Sequence, residues 1–146
     1  MAKKDSGKKD RKVDLAILGE ELGGRVPPQA IDIEEAVLGA LLLEPEVVVD
    51  VLDQLSVECF YKDAHRKIYD AIATLSKRND PVDIFTVSDE LRKSGDLEEI
   101  GGTAYLSQLT LKIGAAAHID YHTKILLQKF IQRELISISY KIQKSA

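Results

Sequence analysis

At 146 residues, with 45% hydrophobic and 30% charged content, the chain is long enough to build one globular domain with a real core. No window nears the roughly 18 uninterrupted apolar residues of a membrane span. The "LAIL" run at 15–18 is cut off too early for a secretory leader, and the one cysteine, Cys59, closes no internal disulfide, so the expectation is a cytoplasmic protein without a membrane.

Charge is uneven. Residues 1–12 carry six Lys and Arg against two Asp, a local +4, which leaves −8 for the rest of a chain whose net charge is −4. An acidic body lacks the cations that neutralise duplex phosphates, so no direct nucleic-acid binding is expected from it. Residues 1–27 show no sustained periodicity and end in "GGRVPPQ", which reads as a disordered basic tail and linker.

The first predicted helix lies in "AIDIEEAVLGALLLEP". Asp32 with Glu35 three later suggests a capping box, Ile33, Val37 and Leu41 share a face with Leu38 and Leu42 beside it, and Pro45 ends the run. "EVVVDVLDQL" is β-branched enough for a strand, but Val48, Val51, Leu52 and Leu55 keep helical spacing, and a helix is expected. Asp63 opens "AHRKIYDAIATLSKR", whose Ala64, Ile68, Ala71, Ile72 and Leu75 form a stripe. After the "NDPVD" turn, Thr86 with Asp89 is expected to cap "VSDELRKS", which stops at Gly95, a left-handed C-terminal cap. Gly101-Gly102 precede "TAYLSQLTLKI", with Ala104, Leu106 and Leu109 inward. From Ala115 onward no Pro or Gly occurs. Leu127, Ile131, Leu135, Ile138 and Ile142 then step by four, four, three and four along one long amphipathic helix, with Lys129, Gln132, Arg133 and Lys141 on its polar face.

No catalytic motif emerges. A phosphate-binding loop needs a strand followed by G-x-x-x-x-G-K-[ST]. Gly101-Gly102 lacks the Lys, the hydroxyl spacing and the strand, and the imitation from Gly19 to Val26 has Arg25 and Val26 in the two decisive places. The glycine pair therefore reads as a joint between helices, with positive φ at one of them at least. His118 and His122 are four apart and invite a metal site completed by His65 or Asp120, but two imidazoles do not make one and no H-E-x-x-H is present. His65, beside Phe60 and Tyr61, reads as a structural imidazole and Cys59 as a small buried hydrophobe. No catalytic, cofactor-binding or metal residues are assigned. The aliphatic stripe either folds back on its own domain or is covered by a partner, because each such side chain is worth about 1.5–3 kcal/mol when buried.

The stretches "PPQ", "EEAVLGALLLEP", "CFYKDAHRKIYDAI", "LSKRNDPVDIFTVSDELRKSGDLEEIGGTAYLSQL" and "DYHTKI" together resemble the N-terminal domain of the DnaB family of bacterial replicative DNA helicases, from Pro27 to about Arg133. The matching elements are Pro27-Pro28-Gln29, Val37-Leu38-Gly39, Phe60-Tyr61 with His65 and Ile68, Asp83 with Thr86, Leu97 with Gly101-Gly102 and Tyr105-Leu106, and Tyr121. Departures are Ile33-Glu34-Glu35, where the family has Ala-Glu-Gln, and Ala115-Ala116-Ala117-His118, where it has a small-residue run ending in Asn.

The resemblance implies an all-α fold: a compact multi-helix globular domain over 28–113, then, over 114–146, the first arm of a dimerisation hairpin. It implies self-association as a dimer within a hexamer, docking of primase and of a helicase loader, and a separate motor domain that alone would need ATP and magnesium. It makes Tyr121 and the five stripe residues the protein-interaction candidates, and the chain, stopping at Ala146 within that arm, reads as a fragment. Two alternatives stay open: the helicase-interacting domain of primase, which is similar in fold, and a small metal-dependent enzyme on His65, His118 and His122.

Overall fold

The computed structural model describes residues 26–112 and 116–145. The expected basic tail, the Gly19–Val26 imitation of a phosphate loop up to Arg25, and residues 113–115 lie outside the described residues. Every regular element described is helical: α1 Ile31–Leu43, α2 Val48–Gln54, α3 Asp63–Lys77, α4 Ile84–Ser94, α5 Leu97–Ile100, α6 Gly102–Leu109 and α7 Ile119–Ser145, with single 3₁₀ turns at Pro45–Val47, Val57–Cys59 and Ala116–His118. The all-α class follows from the 3.6-residue periodicity of each apolar run, including the β-branched "VVDVLDQ", where packing overrides strand propensity. The residues group into two compact units, Ala30–Gln128 and Met1–Gln29 with Lys129–Ala146.

The core of the larger unit is built on α1 and α3. Val37, Leu38 and Leu41 of α1 and Ile68 and Ile72 of α3 are fully buried, joined by Phe60 and Tyr69, whose rings pack with centroids 4.7 Å apart. Tyr69 Oη donates to the carbonyls of Leu55 (2.8 Å) and Val51 (3.3 Å), which satisfies the open C-terminal end of α2 and ties it to α3. Its burial pushes the phenol well above its usual pKa, so it stays a donor. Gly39 marks the closest crossing: a Cβ built there would stand 2.1 Å from the Leu109 carbonyl oxygen. Only hydrogen fits between α1 and α6.

Helix ends correct three expectations. The cap of α1 is Ala30 and makes no side-chain hydrogen bond, so Asp32 is not the N-cap; it lies exposed in the first turn, placed to favour the helix dipole. The capping box of α4 lies three residues before the expected one. Asp83 Oδ1 accepts the Thr86 N–H and Thr86 Oγ1 accepts the Asp83 N–H, both at 2.9 Å, so Thr86 is its N3 partner and Asp89 has no part in it. Ala104 is exposed, because α6 turns only Leu106 and Leu109 inward. The long helix begins at Ile119 after the 3₁₀ turn, and Ala115 falls outside the described residues.

Gly95 ends α4 with φ 81°. Gly101 (φ 111°) and Gly102 (φ 72°) form the expected joint, closing α5 and opening α6. The two differ. A Cβ at Gly101 would meet Tyr105 Cβ at 2.9 Å, whereas one at Gly102 meets nothing within 4 Å. Gly101→Ala is expected to cost about 2 kcal/mol or more and Gly102→Ala about 1 kcal/mol, read as midpoint shifts in urea denaturation. Equal or stabilising effects would contradict the joint.

Candidate functional site

Two arrangements stand out, one buried and one exposed. The buried one grows from Glu34, which sits at the head of the α1 stripe, one turn before Val37 and Leu38, and is only 1% exposed. Its Oε2 accepts the Tyr61 N–H (2.6 Å), and its Oε1 accepts the Lys62 N–H (3.3 Å) and lies 2.7 Å from His65 Nδ1. A carboxylate only accepts, so Nδ1 carries a hydrogen. On the far side of the ring, His65 Nε2 lies 2.6 Å from Tyr105 Oη, which is also 3.5 Å from Glu35 Oε2; Glu35 in turn pairs with Lys112 at 3.3 Å. Burial, then the carboxylates of Glu35 and Glu34, push the Tyr105 phenol up to about 12, so it keeps its proton at neutral pH. Lys62 Nζ lies 5.1 Å from the centre of its ring.

This chain of contacts joins α1, α3 and α6 through side chains 31 and 40 residues apart. A Glu–His pair can serve as a base, but His65 is wholly buried and both ring nitrogens are engaged, so it has no reach to a substrate or a metal. The structural role expected for His65 fits this geometry. Sequence reading did not single out Glu34, although the signal existed: residues 34, 37, 38 and 41 lie on one helical face, and a carboxylate on a buried face needs a partner.

His118 and His122 stack edge to face with centroids 6.1 Å apart, and burial plus the neighbouring His118 lower the His122 pKa. Among the described residues no group of three or more His, Cys, Asp or Glu is placed to hold a metal ion. Cys59 is buried, its Sγ 3.6 Å from Ser56 Oγ.

The exposed arrangement is α7. Leu127, Ile131, Leu135, Ile138 and Ile142 are 37–64% exposed, and Tyr121 is 65% exposed. The same helix buries Thr123, Leu126, Arg133 and Ser137. Arg133 is thereby corrected from the soluble face to a buried position, where its Nη1 donates to the Pro28 carbonyl at 2.9 Å beside the Phe130 ring. Polar side chains inward and aliphatic ones outward invert the pattern of a helix that serves only its own core. No helix among the described residues is long and apolar enough to cross a membrane, so the stripe is not a lipid-spanning face.

Comparison with known proteins agrees with this architecture. Residues 26–128 match the family model described as the DnaB-like helicase N terminal domain. The chain is 47% identical over 110 residues to the replicative DNA helicase DnaB of Rhodothermus marinus, covering 75% of this chain and 12% of that protein. It is 42% identical over 125 residues to the DnaB of Geobacillus stearothermophilus, covering 86% and 28%. The replicative DNA helicase DnaC of Bacillus subtilis is 43% identical over 115 residues, covering 79% and 25%. The chain thus spans little more than a quarter of these relatives at most. The crystal structure of the N-terminal domain of DnaB helicase from Mycobacterium tuberculosis superposes with a TM-score of 0.78 at 37% identity, covering 82% of this chain and 83% of that one. The chain belongs to the family of DnaB-like helicase N-terminal domains.

Proposed function

We propose that this chain is an assembly and docking module of a replicative DNA helicase, without catalytic chemistry of its own, and that it associates with further copies through the outer face of α7. The observation that carries the reading is the inverted helix: five aliphatic side chains face solvent at helical spacing while Arg133 and Ser137 are buried beneath them. A second helix packed along that face, from the rest of a hairpin or from a neighbouring copy, would bury side chains worth about 1.5–3 kcal/mol each. In the whole protein the domain would belong to a hexamer, with primase and a loader docking on the assembled domains and ATP and magnesium used by a separate motor.

Sedimentation velocity over a concentration series tests the assembly role. The native chain is expected to self-associate, and Leu135→Asp with Ile138→Asp to shift it to monomer by stranding charge in the contact, with an unchanged circular dichroism spectrum. A double variant that unfolds would make the stripe core. A native chain monomeric at every concentration would remove self-association from the reading. For the motor, the expected outcome is no phosphate release from ATP above background by the chain alone, since its sequence has no G-x-x-x-x-G-K-[ST]; nucleotide turnover by the pure chain would contradict this.

A further inference from the structure

We propose that His65 is the centre of a proton-controlled switch that reports its own protonation at the Glu35–Lys112 ion pair. The argument rests on counting hydrogens. Tyr105 has one hydroxyl hydrogen and two acceptors in range, His65 Nε2 at 2.6 Å and Glu35 Oε2 at 3.5 Å. While Nε2 is unprotonated, the shorter contact takes that hydrogen, and Glu35 is left to Lys112, 3.3 Å away. When Nε2 accepts a proton from solvent it becomes a donor, and Tyr105 Oη must accept from it. The phenol keeps its hydrogen but has to turn it toward Glu35. One proton enters and no covalent bond other than the new N–H changes, yet both hydrogen bonds of Tyr105 reverse or shift.

The surroundings permit the charged ring. Glu34 lies 2.7 Å from Nδ1 and is itself fixed by the Tyr61 and Lys62 N–H groups, so a buried imidazolium would have a buried carboxylate in contact. The other ionisable groups around the chain of contacts are Glu35 of α1, Tyr61 and Lys62 of the preceding loop, Arg66 of α3, Tyr105 of α6 and Lys112 beyond it. Arg66 Nε donates to the Phe60 carbonyl at 2.7 Å, while Lys62 lies over the Tyr105 ring. Lys62 and Arg66 oppose protonation of the ring; Glu34 and Glu35 favour it, with Glu34 in direct contact.

The test is nuclear magnetic resonance of the 146-residue chain during stepwise acidification, with circular dichroism marking the range in which it stays folded. Long-range ¹⁵N spectra follow the His65 ring, and the side-chain carboxyl ¹³C signal follows Glu35. The expected result is a Glu35 shift with the same midpoint as Nε2 protonation, separate from the carboxyl's own titration, and its loss in Tyr105→Phe while His65 still titrates. A ring that stays unprotonated until the chain unfolds, a Glu35 signal without a phase at the His65 midpoint, or a phase that persists in Tyr105→Phe would overturn the switch. Should Tyr105→Phe not fold, coincidence of the two midpoints in the native chain decides alone.

Discussion

Replacing Glu34 with alanine is expected to destabilise the domain by about 3–5 kcal/mol, the range for removing one partner of a buried pair. Three donors lose their acceptor at once: the Tyr61 N–H, the Lys62 N–H and His65 Nδ1–H. Each unsatisfied buried donor costs about 1–3 kcal/mol, and water entering the vacated space recovers part of that. A small domain holds only about 5–15 kcal/mol in all, so the variant should lose about 12 °C or more in thermal midpoint. Glu34→Gln keeps volume and one acceptor oxygen but faces the donors with an NH₂ group, so it should fall between the native chain and alanine. Calorimetry of the three chains gives the order. A Glu34→Ala chain as stable as the native one would mean that the carboxylate is incidental to the fold.

The second large effect is expected at Gly39. Alanine is the better helix former by about 0.5–1 kcal/mol, and at an exposed site it would stabilise α1. Here the added methyl would stand 2.1 Å from a backbone oxygen, and also 3.0 Å from the Leu109 carbonyl carbon. A backbone carbonyl cannot rotate aside as a side-chain end does, so α1 and α6 must separate by about 1 Å, and overpacking of this kind costs about 1–3 kcal/mol or more. The steric term wins. The expected net loss is about 2 kcal/mol, seen as a lower urea midpoint with an unchanged slope. A stabilised Gly39→Ala chain would show that the two helices do not meet at this glycine.

These two residues also show what sequence reading reaches. The helices themselves were legible, since α1, α3, α4 and the α5–α6 joint each carry their signal within a few residues: a stripe, a proline stop, a glycine at positive φ. Caps were less so. Several residues near each start are able to accept a hydrogen bond, and tertiary packing decides which of Ala30, Asp32 or Asp83 takes the position. Least legible were contacts far apart along the chain. Glu34 meets His65 across 31 positions, and Arg133 reaches the Pro28 carbonyl across 105, so a residue placed on the solvent face by periodicity is in fact buried. The stripe from Leu127 to Ile142 was visible in the spacing alone, and the structure finds all five of its side chains exposed. What covers it is the proposal made here.

Tyr105 gives an independent check on burial at the α1–α6 boundary. Its pKa is raised from the usual 10 to about 12 in the folded chain. A raised pKa means that the stabilisation is fully present below pH 10 and is lost as pH rises through about 12. Alkaline denaturation should therefore steepen in that window and flatten in Tyr105→Phe. The same steepness in both chains would show that the phenol is not held in a desolvated site.

The measurement that bears most directly on the assembly role is a dilution series of the ¹⁵N-labelled chain followed by amide chemical shifts. If α7 is the contact, shifts that vary with concentration should cluster at Leu127, Ile131, Leu135, Ile138 and Ile142, with the signals of α3 and α4 unmoved. Changes centred instead on another exposed apolar side chain, such as Phe85 of α4, or no concentration dependence at all, would contradict the account.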